Sequence, residues 1–338
     1  MKWFFYTLLI VLLIACSEDT DVNEPLYFFD LMEIPKGFPS VDIPTDNEFT
    51  RARWELGKKL FFDPIMSVDS SISCASCHQP SLAFSDDVAM SLGVEQRLGT
   101  RNSPSLANIA YHPYFTREGG VPTLEMQILV PIQEHNEFDF NILLIAERLQ
   151  RHSEYTTMAA EAYNRVPDAF VITRALANFE RTLISGYSRY DQFVNYNKST
   201  LTDKEIHGMN LFFSDKTKCS TCHSDFNFTN YAFENNGLYE VYPDVGRFRL
   251  TNNPTDSALF KVPSLRNIEL TAPYMHDGSV LTLEDVVNHY NSGGKNHVHK
   301  SNLIQPLGLT EVEKQALVAF LKTLTDQSFV NNPLFKPN

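Results

Sequence analysis

Apolar residues recur every three to four positions in several stretches of this chain, the spacing that lines them along one face of a helix. Arg53–Phe62, Asn141–Gln150, Ala169–Ser185, Asp203–Phe213, Leu283–Tyr290 and Glu311–Leu324 follow that spacing. Thr282 and Thr310 stand just ahead of the last two, where a hydroxyl can accept from a free backbone N–H. No alternating run is long enough for a sizeable sheet, so the pattern predicts a mainly α chain. Another apolar stretch, Trp3–Ala15, follows Lys2 and ends Leu13-Ile14-Ala15-Cys16. It is too short to span a bilayer comfortably and reads as the apolar part of a signal over 1–15. Residues 16–50 read as a tether and lead-in, with an acidic start at 17–21 and prolines at 35, 39 and 44.

The chain then repeats itself. Leu56-Gly57-Lys58-Lys59-Leu60-Phe61-Phe62 has a counterpart in His207-Gly208-Met209-Asn210-Leu211-Phe212-Phe213. Pro104-Ser105-Leu106-Ala107-Asn108-Ile109 is answered by Pro263-Ser264-Leu265-Arg266-Asn267-Ile268, and Thr123-Leu124-Glu125 by Thr282-Leu283-Glu284. Two related domains in tandem, 51–190 and 191–338, explain the repetition better than one large unit.

Cysteine usage gives the repeat its chemistry. Four of the five cysteines fall in Cys74-Ala75-Ser76-Cys77-His78 and Cys219-Ser220-Thr221-Cys222-His223. C-x-x-C-H is the attachment pattern of a c-type haem: the thiols add to the porphyrin vinyl groups and the adjacent imidazole ligates the iron. A structural zinc site is the alternative reading. Duplication favours two covalent haems, held by Cys74, Cys77 and His78 and by Cys219, Cys222 and His223. The fifth cysteine, Cys16, ends a segment that resembles a bacterial lipoprotein signal, which would leave it as a lipidated N-terminus. Export to the periplasm or an attached membrane face suits c-type haem. The formal charge of −13 argues against nucleic acid and is compatible with steering a basic redox partner.

Together these stretches resemble the bacterial di-haem cytochrome c peroxidase family, including MauG-like enzymes, over roughly residues 50–325. The resemblance implies two cytochrome c-like domains and a calcium ion near their interface. It also implies an N-terminal haem that reacts with hydrogen peroxide and a C-terminal haem that passes electrons from a small donor protein. Glu137 matches the family's catalytic acid–base glutamate and Gln127 its distal glutamine, with Glu134 and His135 as neighbouring rivals. Asn102, Thr271 and Pro273 match calcium contacts. Tyr290 occupies the distal ligand position of the second haem, as in MauG-like members, with Met275 as a rival. The internal repeat sets Pro131, which cannot bind iron, opposite Tyr290.

Two departures stand out. Where many members carry a loop histidine that caps the first haem, this chain has Val94. Where the family places a tryptophan between the haems, Arg117-Glu118-Gly119-Gly120 stands, which leaves Tyr114 or Phe115 as aromatic neighbours. The reading is an exported peroxidase. The alternatives are a MauG-like oxidase that modifies a partner protein and a non-enzymatic electron carrier.

Overall fold

The computed structural model describes residues 31–337; the expected signal and Cys16 lie outside the described residues. In chain order the helices are α1 (Arg51–Phe62), α2 (Cys74–Cys77), α3 (Leu124–Gln127), α4 (Leu129–Gln133), α5 (Ile142–Gln150), α6 (Ser153–Tyr163) and α7 (Ala169–Arg181). They continue with α8 (Arg189–Tyr196), α9 (Asp203–Phe212), α10 (Cys219–Cys222), α11 (Phe248–Thr251), α12 (Leu283–Ser292), α13 (Glu311–Lys322) and α14 (Gln327–Val330). The only sheet among the described residues is a two-residue pair. β1 (Phe233–Glu234) runs antiparallel to β2 (Phe260–Lys261), with Phe233 opposite Lys261.

Each half is built on one crossed helix pair, α1 with α7 and α9 with α13. Both crossings are set by a glycine. A Cβ at Gly57 would lie 1.9 Å from the Ala175 carbonyl oxygen, and one at Gly208 would lie 1.9 Å from that of Ala316. Only a residue without a side chain lets the backbones approach this closely. Phe61 packs on Phe179 in the first crossing and Phe212 on Phe320 in the second, at centroid separations of 5.0 and 5.2 Å. Thr182 and Thr323 each return their hydroxyl to the carbonyl three residues back, Phe179 and Phe320. The sequence repeat is therefore also a repeat of packing.

Capping explains the helix starts. Thr50 caps α1, Asn141 caps α5, Asp168 caps α7, and Thr202, Thr282 and Thr310 cap α9, α12 and α13. Where α12 runs unbroken, its counterpart is split into α3 and α4 at Ile128. Pro131 accounts for the split: it has no N–H for the Gln127 carbonyl, and its ring crowds that carbonyl.

The halves are not closed modules. The core of the first includes Phe329, Val330 and Phe335 from the chain's end as well as Leu31 from the lead-in. Phe329 and Phe335 lie 5.7 and 6.1 Å from the Phe84 ring. Asp326 carries the chain across, accepting from the backbone N–H groups of Gly186 and Tyr187 at 3.0 and 2.9 Å. α7 ends at Arg181, four residues short of the periodicity-based expectation, and the segment after it is held by Asn108, which bonds the Leu183 carbonyl and the Ser185 N–H. The lead-in also contributes Asn47, whose amide donates to Glu125 at 2.8 Å and accepts from Asn178 at 2.6 Å.

Candidate functional site

Both C-x-x-C-H segments form one short helical turn, α2 and α10, with the histidine just past its end. The four cysteines are free and half-buried. His78 sets Nδ1 2.8 Å from the Phe84 carbonyl, and His223 sets Nδ1 3.0 Å from that of Phe228. Each carbonyl can only accept, so it fixes the proton on Nδ1 and leaves Nε2 as the unprotonated donor atom. Burial pushes both imidazoles below their ordinary range and keeps them neutral, the form that ligates a metal. Paired free thiols beside an oriented neutral imidazole fit a covalently held haem in each half.

In the N-terminal half, the polar groups facing this cradle come from the α3–α4 break and the turn after it. The Gln127 Oε1 is buried without a hydrogen-bond partner among the described residues, as suits an atom reserved for a bound group. The charge of Glu137 acts on both Cys74 and Cys77, so its carboxyl shares their enclosure. Burial, with the charge of Glu134 second, pushes Glu137 up to about 7. Its two rivals face outward: Glu134 is exposed, and His135 is exposed and pairs with Asp139 at 3.2 Å. Glu180 on α7 is a further buried carboxyl acting on Cys74, pushed up to about 8 by burial. Nothing in its sequence context distinguishes it from any other helix residue.

Val94 acts through the backbone. It is fully buried, and its N–H donates to the Glu137 carbonyl at 3.0 Å. Gly93 lies against the same segment: a Cβ there would sit 2.1 Å from the Asn136 oxygen. The loop that lacks the family's histidine thus grips the turn carrying Glu137.

In the C-terminal half, Tyr290 lies on α12 and is subject to the charges of both Cys219 and Cys222. Burial pushes its phenol up to about 12, while a hydrogen bond from Asn236 acts in the other direction. The same Asn236 amide lies 3.2 Å from the Met275 sulfur. Both ligand candidates therefore converge on one asparagine. Tyr290 is the one whose environment includes the attachment thiols.

Between the halves, Tyr114 stacks on Phe233 at 5.2 Å and donates its hydroxyl to the Tyr231 carbonyl, so it spans the junction. Phe115 packs within its own half, against Ile109, Leu124 and Ala177. Arg101 pairs with Glu118 of its own half and with Asp244 across the junction.

The calcium expectation does not fit. The Arg117 guanidinium donates to the Asn102 backbone carbonyl at 2.7 Å and to its Oδ1 at 3.1 Å. The Asn102 amide nitrogen faces the Val88 carbonyl at 3.1 Å, which fixes that orientation. A doubly charged ion sharing Oδ1 would sit about 5 Å from the guanidinium and be repelled by about 7 kcal/mol at an effective dielectric of about 20. Thr271 and Pro273 bring no carboxylate of their own, and the nearby Asp277, Glu118 and Asp244 already act on Arg117.

Comparison with known proteins agrees with this arrangement. Residues 51–199 match the family model described as di-haem cytochrome c peroxidase. The chain is 36% identical over 290 residues to methylamine utilization protein MauG of Methylorubrum extorquens, covering 84% of this chain and 81% of that one. It is 33% identical to cytochrome c551 peroxidase of Nitrosomonas europaea, covering 84% and 83%. Among solved structures, a MauG-like protein associated with microbial copper homeostasis superposes with a TM-score of 0.86 at 34% identity, over 90% of this chain and 98% of that one. The duplicated helix crossing, the paired attachment motifs and these likenesses agree, and the chain belongs to the di-haem cytochrome c peroxidase family.

Proposed function

We propose that this protein is an exported di-haem peroxidase that reduces hydrogen peroxide beside Glu137, with electrons delivered through the C-terminal half. The haems, held through Cys74, Cys77 and His78 and through Cys219, Cys222 and His223, supply the redox chemistry. The polypeptide supplies attachment, orientation and proton handling.

The observation that carries the proposal is the half-buried Glu137 carboxyl, which shares the surroundings of the first pair of thiols and is raised to about 7. Splitting peroxide requires a proton to leave one oxygen and reach the other, which departs as water. A single carboxylate near neutrality can take the first proton and return it to the second oxygen. A seated porphyrin excludes more water and pushes Glu137 further the same way. Gln127, with its unpartnered Oε1, is positioned to orient the peroxide. Pro131 in the place corresponding to Tyr290, and Val94 in the place of a histidine, carry no ligating side chain and would leave one face of a haem held here without a protein ligand. An electron carrier would gain nothing from such a face beside a carboxylate.

Tyr290 favours a second reading, a MauG-like oxidase acting on a partner protein. A phenolate ligand is a hard anionic donor and lowers a haem potential relative to methionine, which disfavours an easily reduced relay. Export through residues 1–15 and a lipid anchor at Cys16 belong to the same proposal. The acidic surface suits a basic electron donor.

The test is peroxide turnover by the purified holoprotein with reduced cytochrome c as donor. Rapid oxidation of the donor supports the peroxidase. Slow turnover, with a long-lived oxidised spectrum after peroxide, supports the second reading. An oxidised protein with two six-coordinate haems that ignores peroxide refutes both.

A further inference from the structure

We propose that Arg117 is a built-in cation of the junction between the halves: its guanidinium holds the oxygens of Asn102 in place of a divalent metal, so this protein assembles without calcium. The contact is made by a fork of donors. Nη2 reaches the Asn102 carbonyl at 2.7 Å and Oδ1 at 3.1 Å, and Nε reaches the carbonyl at 3.3 Å.

The surroundings suit a fixed positive charge. Arg117 is half-buried, with Asp277, Glu118 and Asp244 acting favourably on it and Arg101 opposing. Burial leads in pulling it down to about 10, well above neutrality, so it stays charged. Its position is fixed from both sides. Its backbone carbonyl accepts from the Lys261 N–H of β2 at 2.7 Å, and the Asn102 N–H donates to the His276 carbonyl at 3.0 Å. The guanidinium thus joins two loops of the first half, each of which bonds through its backbone to a segment of the second, a job otherwise suited to an ion with oxygen ligands. Arginine fits because its planar fork serves two oxygens at once and its charge is permanent.

This inference stands apart from the peroxidase proposal, because its readouts are metal content, melting and haem spectra rather than turnover. The holoprotein is dialysed against EGTA, assayed for calcium by elemental analysis, and melted in EGTA and in millimolar calcium chloride. The expected wild type retains no stoichiometric calcium and has the same melting temperature and haem spectrum in both buffers. Arg117→Gln removes the charge and is expected to melt about 5 °C lower in EGTA, with part of the loss restored by calcium. Arg117→Lys keeps the charge and is expected to stay indifferent to calcium. One calcium per wild-type chain after dialysis overturns the proposal, as does a wild-type melt that falls in EGTA. Arg117→Gln behaving as wild type in both buffers also overturns it. Should Arg117→Gln not accumulate as holoprotein, the wild-type metal content and melts decide.

Discussion

Replacing Gly93 by alanine tests how Glu137 is held. The new Cβ would lie 2.1 Å from the Asn136 oxygen, 2.7 Å from the Asn136 carbonyl carbon and 2.8 Å from the Glu137 Cα. All three are backbone atoms, so no side-chain rotation relieves the contact. Non-bonded contact becomes tolerable only beyond about 3.2 Å, so the two segments must part by about 1 Å. That separation lengthens the bond from the Val94 N–H to the Glu137 carbonyl, now 3.0 Å. Overpacking of this kind costs about 1–3 kcal/mol of stability, which the chain can survive. A displacement of about 1 Å at a proton-transfer group lowers a rate by roughly 100-fold. Stopped-flow absorbance in the Soret region, with peroxide in excess, measures the rate directly. Gly99→Ala is the matched control in the same loop: its Cβ meets nothing closer than 3.4 Å, an ordinary contact. Gly93→Ala and Gly99→Ala reacting equally fast, with both haems attached, would refute the reasoning.

Glu137→Gln keeps the shape but cannot accept the proton, so the peroxide reaction should slow by about 100- to 10,000-fold with both haems retained; an unchanged rate removes Glu137 from the mechanism. Because burial raises this carboxyl to about 7 even before a porphyrin is seated, its base form and the wild-type rate should rise at least about tenfold from pH 6 to pH 8, and the Gln variant should lose that rise. Tyr290→Phe should change the absorption and electron paramagnetic resonance spectrum of one haem while Met275→Leu leaves it alone; the reverse pattern would make Met275 the ligand. Gly57→Ala drives a Cβ to 1.9 Å from the Ala175 oxygen, and thermal melting should show a loss of several degrees, since the α1–α7 crossing must open.

Local signals were well written in the sequence. The apolar spacing over Asp203–Phe213 and Glu311–Leu324 corresponds to α9 and α13, and Thr282 and Thr310 cap as their hydroxyls predict. The doubled motifs and the repeat offset marked out two halves. The helices α6 and α8 escaped notice because α6 carries small alanines among its polar residues and α8 is only two turns long, so neither shows a long apolar stripe. What stayed illegible depends on contacts between distant segments. No spacing rule brings Gly93 against Asn136 or returns Phe329 to Phe84. The Arg117 fork on Asn102 is also invisible in sequence, although the loss of the family's tryptophan at that place marked the spot. Glu180 hides for the same reason: only folding turns it toward Cys74.

The return of the C-terminal tail has a consequence for how the protein is made. The chain emerges with its first residues leading, yet Phe329, Val330 and Phe335 are the last to arrive and belong in the interior of the leading half. That interior stays unfinished until residues 329–335 have been made. The first thiol pair, Cys74 and Cys77, therefore remains reachable during that interval, so its porphyrin can be stitched in before that half shuts around it. Closure becomes a final latch, thrown only by a full-length chain.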